Sequence, residues 1–241
     1  MKLVVSEEIF AKFSGAVIGI VLVRGIDNSG ASEELTQLIR NQEEKIRAGF
    51  NIETLSENPK IASWREAYRA FGAKPKKHRC SAENLYRMIL EGENLRGINK
   101  LVDAYNLVSI THLIPAGGDD TDKVEGDIRL KFAEGNERFV ELNAREGEAK
   151  APEKGEVVYV DDKDVLCRRW NWRECDKTKM TSETRNAVLV VEGLPPFSRD
   201  DVLAVANELA SLVKRFCGGE TRALVLDKEA IETGDLAAIQ K

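Results

Sequence analysis

The apolar residues of this chain change their spacing part-way along its length, and that switch restricts the fold more than any single motif. Residues 15–23, GAVIGIVLV, form a continuous apolar run of strand length and read as a buried strand. A helical period follows. Leu35, Leu38, Ile39 and Ile46 share one helix face, and Ile61, Trp64, Tyr68 and Phe71 share another, with Gly72 ending that helix. Ser81 reads as the cap of a third helix, with Leu85 and Ile89 one turn apart. In GINKLVDAYNLVSI, Ile98, Leu101, Val102 and Tyr105 fill a stripe, while Asp103 and Asn106 share the other side. Beyond the Gly/Asp-rich loop IPAGGDDTD the period falls to two. DIRLKFAEG, RFVEL, EVVYVDD, VLCRRW and NAVLVVEG read as short strands and hairpins. A last helix is capped by Ser198 with Asp201 and lined by Val202, Val205, Leu209, Leu212 and Phe216, and TRALVLD closes the chain as a strand. Helices, then a mostly antiparallel sheet flanked by them, then helix and strand predict an α+β fold. The reading is of one domain over 1–241, with 1–59 a strand/helix extension and 196–241 the closing helix and strand.

Composition narrows the function classes. Apolar residues at 42% and charged residues at 32% describe a globular chain. A net charge of −5 disfavours general nucleic-acid binding, so any RNA contact must be local. No apolar run reaches membrane-spanning length, MKLVVSEEIF has no signal-peptide pattern, and four scattered cysteines make no disulfide framework. These features predict a reduced, cytoplasmic protein with no membrane partner. Cys167 and Cys175 are eight apart and His78 lies beside Cys80, spacings that miss the short hooks of a zinc site, so no metal is expected. There is no Walker or dinucleotide loop and no nucleophile motif around His78 or His112, so neither a cofactor nor a triad is expected. The run Lys74, Lys76, Lys77, Arg79 is either a solvated linker or a phosphate contact.

One stretch stands apart. VLCRRWNWRECDKT, residues 165–178, holds three arginines, two tryptophans and an asparagine. Read as extended, it alternates Val165, Cys167, Arg169, Asn171 and Arg173 on one face against Leu166, Arg168, Trp170 and Trp172 on the other. That pattern suits a strand leaving a core for a cleft, with guanidinium forks for a carboxylate or phosphate. The alternative is a twisted hairpin with packed tryptophans and solvated arginines.

INKLVDAYNLVSITHLIPAGGDD carries a pattern of Val102-Asp103, Asn106, Pro115 and Asp120, and TSETRNAVLVVEG adds Thr184 and Asn186 before an apolar strand. Together with PKKHRCSAENLYRMILEGENLRGIN, these stretches resemble the editing domain of the phenylalanyl-tRNA synthetase beta subunit, the B-three/B-four domain, and freestanding proteins made of that domain alone. The resemblance covers about residues 60–195. It implies a pocket between the sheet and the Asp/Asn helix, and as ligand the aminoacylated 3′ end of a tRNA. It implies ester hydrolysis in trans. Asn106 then holds a water or the substrate amine, Arg169 and Arg173 meet negative charge, and the N–H groups of Gly117 and Gly118 form an anion nest. Asp103, Arg168, Trp170, Asn171, Trp172 and Glu192 would line the substrate. The departures are specific. Gly117 stands where the family has its editing histidine, and Arg168–Arg173 replace a glycine-rich loop. Glu192 is two residues out of register with Val190 for the acid that reads a tyrosine hydroxyl, a shift that a β-bulge would absorb. These departures leave open a non-catalytic module holding tRNA or an amino acid, and a small-molecule enzyme or sensor reusing the pocket.

Overall fold

The computed structural model describes residues 1–144 and 148–236. Among the described residues, nine strands and six α-helices run in the order β1 (Leu3–Val5), α1 (Glu7–Lys12), β2 (Val17–Arg24), α2 (Glu33–Gly49), α3 (Pro59–Ala70), α4 (Ser81–Leu90), α5 (Lys100–His112), β3 (Ala116–Asp120), β4 (Ile128–Phe132), β5 (Val157–Val160), β6 (Val165–Arg168), β7 (Arg173–Glu174), β8 (Ala187–Gly193), α6 (Arg199–Cys217) and β9 (Glu220–Leu226). They build an α+β fold with two sheets. One has the order β3-β8-β2-β9 and is antiparallel throughout; the other runs β1-β4-β5-β6-β7, with only the β1–β4 pair parallel.

The continuous apolar runs of β2 and β8 follow from their position. Both are interior strands of the four-stranded sheet, covered on two faces, so neither alternates with polar residues as a half-exposed strand would. Helix α6 lies on one face of this sheet, α5 packs on α6, and α2 packs on α5. The amphipathic stripe of α6 buries Val202, Val205, Leu209 and Val213, and Ser198 and Asp201 close the predicted capping box. The other face of the sheet turns Val188, Val190 and Glu192 toward Tyr159, Cys167 and Glu174 of the five-stranded sheet. Residues 1–59 are no appendage, because they supply the central strand β2.

Several local expectations are corrected. AGGDD, the middle of the stretch expected to be a loop, is strand β3. Its glycines hide β-character, yet a Cβ at Gly118 would lie 2.3 Å from the Val188 carbonyl oxygen, so this close approach of β3 to β8 needs glycine. RFVEL forms isolated bridges through Arg138, Val140 and Glu141 instead of a strand. Cys80, not Ser81, is the residue capping α4, and Ser81 is its first helical residue. Ile98 precedes α5 and is 64% exposed, outside the stripe; Asn99 caps that helix by accepting from the Val102 N–H.

The largest correction concerns the Arg/Trp stretch. It is not extended: β6 turns back into β7, and Cys167 pairs with Glu174 and Arg168 with Arg173. The turn puts Arg169 at φ 48° and Trp170 at φ 68°. Left-handed backbone costs a residue with a Cβ about 1–2 kcal/mol. The compensation is burial. Trp170 is fully buried, its ring 5.0 Å from Trp64 edge-on and 5.0 Å from Phe13. Trp170→Ala is expected to destabilise the chain by about 3–5 kcal/mol, read from urea midpoints; a loss below about 1 kcal/mol would show that the turn is held by other contacts.

Candidate functional site

Where the two sheets face each other they leave a cavity of about 30 Å³, the size of one or two water-like groups. Gly117, Gly118, Asp119, Val188, Val190 and Glu192 wall it from one sheet; Leu3, Ile128, Tyr159, Cys167 and Glu174 wall it from the other, and Trp170 and Asn171 close it from the hairpin turn. It therefore lies between two sheets and not between a sheet and α5.

Glu192 is the charged member of an otherwise apolar strand buried on both sides. The Tyr159 hydroxyl donates to its Oε1 at 2.6 Å and the Asn171 amide to its Oε2 at 2.8 Å. Tyr68 donates in turn to Asn171 Oδ1 at 2.9 Å, so one chain of hydrogen bonds links β8, β5, the hairpin and α3. Burial raises the Glu192 pKa to about 7, with the Tyr159 and Asn171 bonds pulling it partly back. Two more acids share the wall. Burial lifts Asp119 to about 6 against a 2.5 Å bond from Thr178. Burial, with Asp119 and Glu192 nearby, lifts Glu174 well above the usual carboxylate range. No bulge is needed to bring Glu192 here: β8 pairs with β2 rung for rung, and period two puts Val190 and Glu192 on the same wall.

Gly117 now has a physical reading. A Cβ there would lie 3.0 Å from Glu174 Oε1, so Glu174 fills the space that a side chain at 117 would enter. The two glycine N–H groups do not converge as a nest. Glu192 N–H donates to the Pro115 oxygen at 3.0 Å, and antiparallel alternation from that bond engages Gly117 with Val190. The same alternation turns the Gly118 N–H away from β8, to the side on which the Asp120 N–H meets the Thr178 oxygen at 2.9 Å.

The other sequence-predicted residues separate from the cavity. Arg168 is buried and forks onto Glu156 with two 2.9 Å bonds. Arg168, Arg169 and Trp172 wall a surface cleft on the outer side of the hairpin instead. Arg173 is 53% exposed at its side chain, within 3.5 Å of Glu141. Asp103 turns back to accept from the Ile98 N–H at 3.0 Å, and Asn106 is half-buried on α5; neither lines the cavity or the cleft. The split follows from the hairpin, because a turn at 169–172 sends neighbouring side chains to opposite sides. Motif residues Asp120 and Thr184 bond each other at 2.7 Å, clamping the end of β3 to the loop before β8. Tyr159, Asp119 and Glu174 escape sequence reading. Only the hairpin register, which sets Glu174 opposite Cys167, could have marked one of them.

The model of the B3/4 domain matches residues 63–218, through the last helix and beyond the stretch read from motifs. The chain belongs to the B3/4 domain family. Among curated relatives, the phenylalanine–tRNA ligase beta subunit of Fusobacterium nucleatum is 27% identical over 157 residues, covering 56% of this chain and 19% of that protein. The corresponding subunit of Mycoplasma genitalium is 33% identical over 78 residues, 32% of this chain and 9% of that one. This B3/4 chain thus aligns with under a fifth of the length of the relatives it matches. A solved N-terminal fragment of the phenylalanyl-tRNA synthetase beta subunit from Pyrococcus horikoshii aligns with 97% of this chain and 54% of that one, at 19% identity and a TM-score of 0.47. Among the described residues, no cluster of potential metal ligands is present and no helix is long and apolar enough to cross a membrane.

The cavity acids make stability pH-dependent. Glu192 binds its proton more tightly in the folded chain, about 7 against 4.5, so the folded state gains most below the lower value and loses that gain as pH rises through the upper one. The loss is on the order of 3 kcal/mol for a shift of this size. Urea midpoints measured from pH 4.5 to 8 are expected to fall, and Glu192→Gln is expected to flatten the fall; parallel profiles would contradict the assignment.

Proposed function

We propose that the chain hydrolyses the ester of an aminoacylated tRNA in trans at the cavity between its sheets, and that the acyl group it takes is small. The carrying observation is Glu192, a buried carboxyl with a pKa of about 7 in the wall of that cavity. A general base works best when its pKa lies near the operating pH. The tRNA ester as ligand is supported by membership of the B3/4 family and by relatives named phenylalanine–tRNA ligase beta subunit. A cavity of about 30 Å³ suits an ammonium or a methyl-sized side chain, not a phenol. A cytoplasmic setting suits four buried, free cysteines.

In this reading Glu192 takes a proton from water as the oxygen attacks the ester carbonyl carbon. The oxyanion meets the Gly118 N–H, which points away from β8. Collapse breaks the bond to the ribose oxygen, which regains the proton from Glu192, leaving free amino acid and tRNA. Asp119 and Glu174 face the α-ammonium group, and Tyr159 and Asn171 orient the base. Asn106 and Arg173 are given no part in the chemical step.

A second reading, a module that holds charged tRNA without chemistry, is favoured by one observation: Tyr159 and Asn171 already occupy both Glu192 oxygens. A panel of glycyl-, alanyl-, seryl- and tyrosyl-tRNAs separates the two. Hydrolysis is expected for the small acyl groups and not for tyrosyl-tRNA, with Glu192→Gln slowing it about 100-fold or more. Binding of charged tRNA with no turnover of any member, by folded protein, selects the second reading and removes the first.

A further inference from the structure

Two surface clefts meet behind the hairpin, away from the cavity. One, of about 400 Å³, is walled by Lys77, His78, Arg168, Arg169 and Trp172; the other, of about 290 Å³, shares Lys77, His78 and Arg169 and adds Lys74 and Lys154. The acids on their walls are Glu141, Glu148, Glu153 and Glu156, fewer than the cations in a chain whose net charge is −5. Two of these acids are already engaged. Glu156 accepts from Arg168 Nε and Nη2 and from the Arg169 N–H, and Glu141 lies beside Arg173. The Arg169 guanidinium is left at ion-pair distance only, 3.5 Å from Glu156 and 3.6 Å from Glu153, although its side chain is only 8% exposed. Among the described residues no acid lies within ion-pair distance of Lys74 or Lys77, and both are exposed.

Two details show that Arg169 is aimed at this junction. Its backbone is left-handed, and its guanidinium sits 4.6 Å above the Trp172 ring, which His78 meets edge-on at 4.7 Å. His78 Nδ1 is buried with no hydrogen-bond partner, an arrangement that native structures rarely leave unexplained.

We propose that the junction of Lys74, Lys77, His78 and Arg169 is a phosphate-binding site. A planar carboxylate needs one fork. A phosphoryl group presents three acceptor oxygens and more than one charge, which is what a guanidinium, a ring N–H and two ammonium groups around one hollow supply. The phosphate belongs either to an RNA backbone or to a free nucleotide. As an RNA anchor the site rests on the tRNA reading above; as a phosphate site it stands apart from it.

The test follows the His78 ring signal by NMR in the full chain, with His112→Gln resolving the two histidines. The probes are inorganic phosphate, adenosine monophosphate and a ten-nucleotide single-stranded RNA. Burial and Arg169 hold the His78 pKa down, so a phosphate at Nδ1 is expected to shift its signal and raise that pKa. RNA binding at least tenfold tighter than the mononucleotide, weakened about tenfold by the pair Lys74→Glu and Lys77→Glu with a shallower salt dependence, assigns the site to an RNA backbone. Equal affinities assign it to free phosphates. Arg169→Lys, which keeps the charge and removes the fork, is expected to weaken phosphate several-fold. A His78 signal unmoved by all three probes overturns the proposal, as does RNA binding indifferent to the lysine reversals. Phosphate bound here with no charged tRNA hydrolysed defeats the deacylase reading alone; hydrolysis with His78 undisturbed defeats this one alone.

Discussion

A single carboxyl held between two sheets organises this molecule. Glu192 comes from the four-stranded sheet, Tyr159 from the five-stranded one, Asn171 from the hairpin turn and Tyr68 from α3, and hydrogen bonds of 2.6–2.9 Å join all four. An uncompensated buried carboxylate would be costly. Its partners therefore fix how the sheets face each other, and the tight turn at Arg169 and Trp170 follows because only that turn delivers Asn171 to Glu192 while sinking Trp170 between Trp64 and Phe13. Removing one member leaves the others unsatisfied, which makes the network more cooperative than its separate bonds.

The hairpin also separates two electrostatic regimes a few residues apart. Inward, Asp119, Glu174 and Glu192 hold protons more tightly than carboxylates in water. Outward, Arg168 and Arg169 draw on Glu156, and Lys74 and Lys77 of the α3–α4 linker are exposed, with no acid among the described residues at ion-pair distance. The overall negative charge says little about either face, because both depend on which side of one turn each residue leaves.

Elements whose physics is local can be read from the chain by itself. β2 shows as a run of apolar residues, α6 as an amphipathic stripe behind a capping box, and the α+β order as a change of period. What escapes is set by distant partners. AGGDD has no β-propensity worth the name and becomes β3 because glycine alone lets its backbone approach β8. Alternation predicts a straight Arg/Trp strand, and nothing in RRWN announces two left-handed residues, since the gain comes from Trp64 and Phe13, both distant in sequence. At the cavity, Gly117, Gly118, Trp170, Asn171 and Glu192 are named by pattern and resemblance, whereas Tyr159 sits in an ordinary apolar strand and Asp119 is hidden in a stretch that reads as a loop.

The contact between Gly117 and Glu174 reaches beyond this one sequence. The two positions compete for the same volume, so a side chain at 117 must push the Glu174 carboxyl aside. Substitutions there are expected to be epistatic: an imidazole at 117 must displace the Glu174 carboxyl, and shortening 174 first opens a hole beside Asp119 and Glu192. Because the contact is with the far end of a flexible side chain, a residue added at 117 is accommodated by Glu174 swinging its carboxyl aside, so the cost falls on the acid's position in the cavity wall rather than on the backbone.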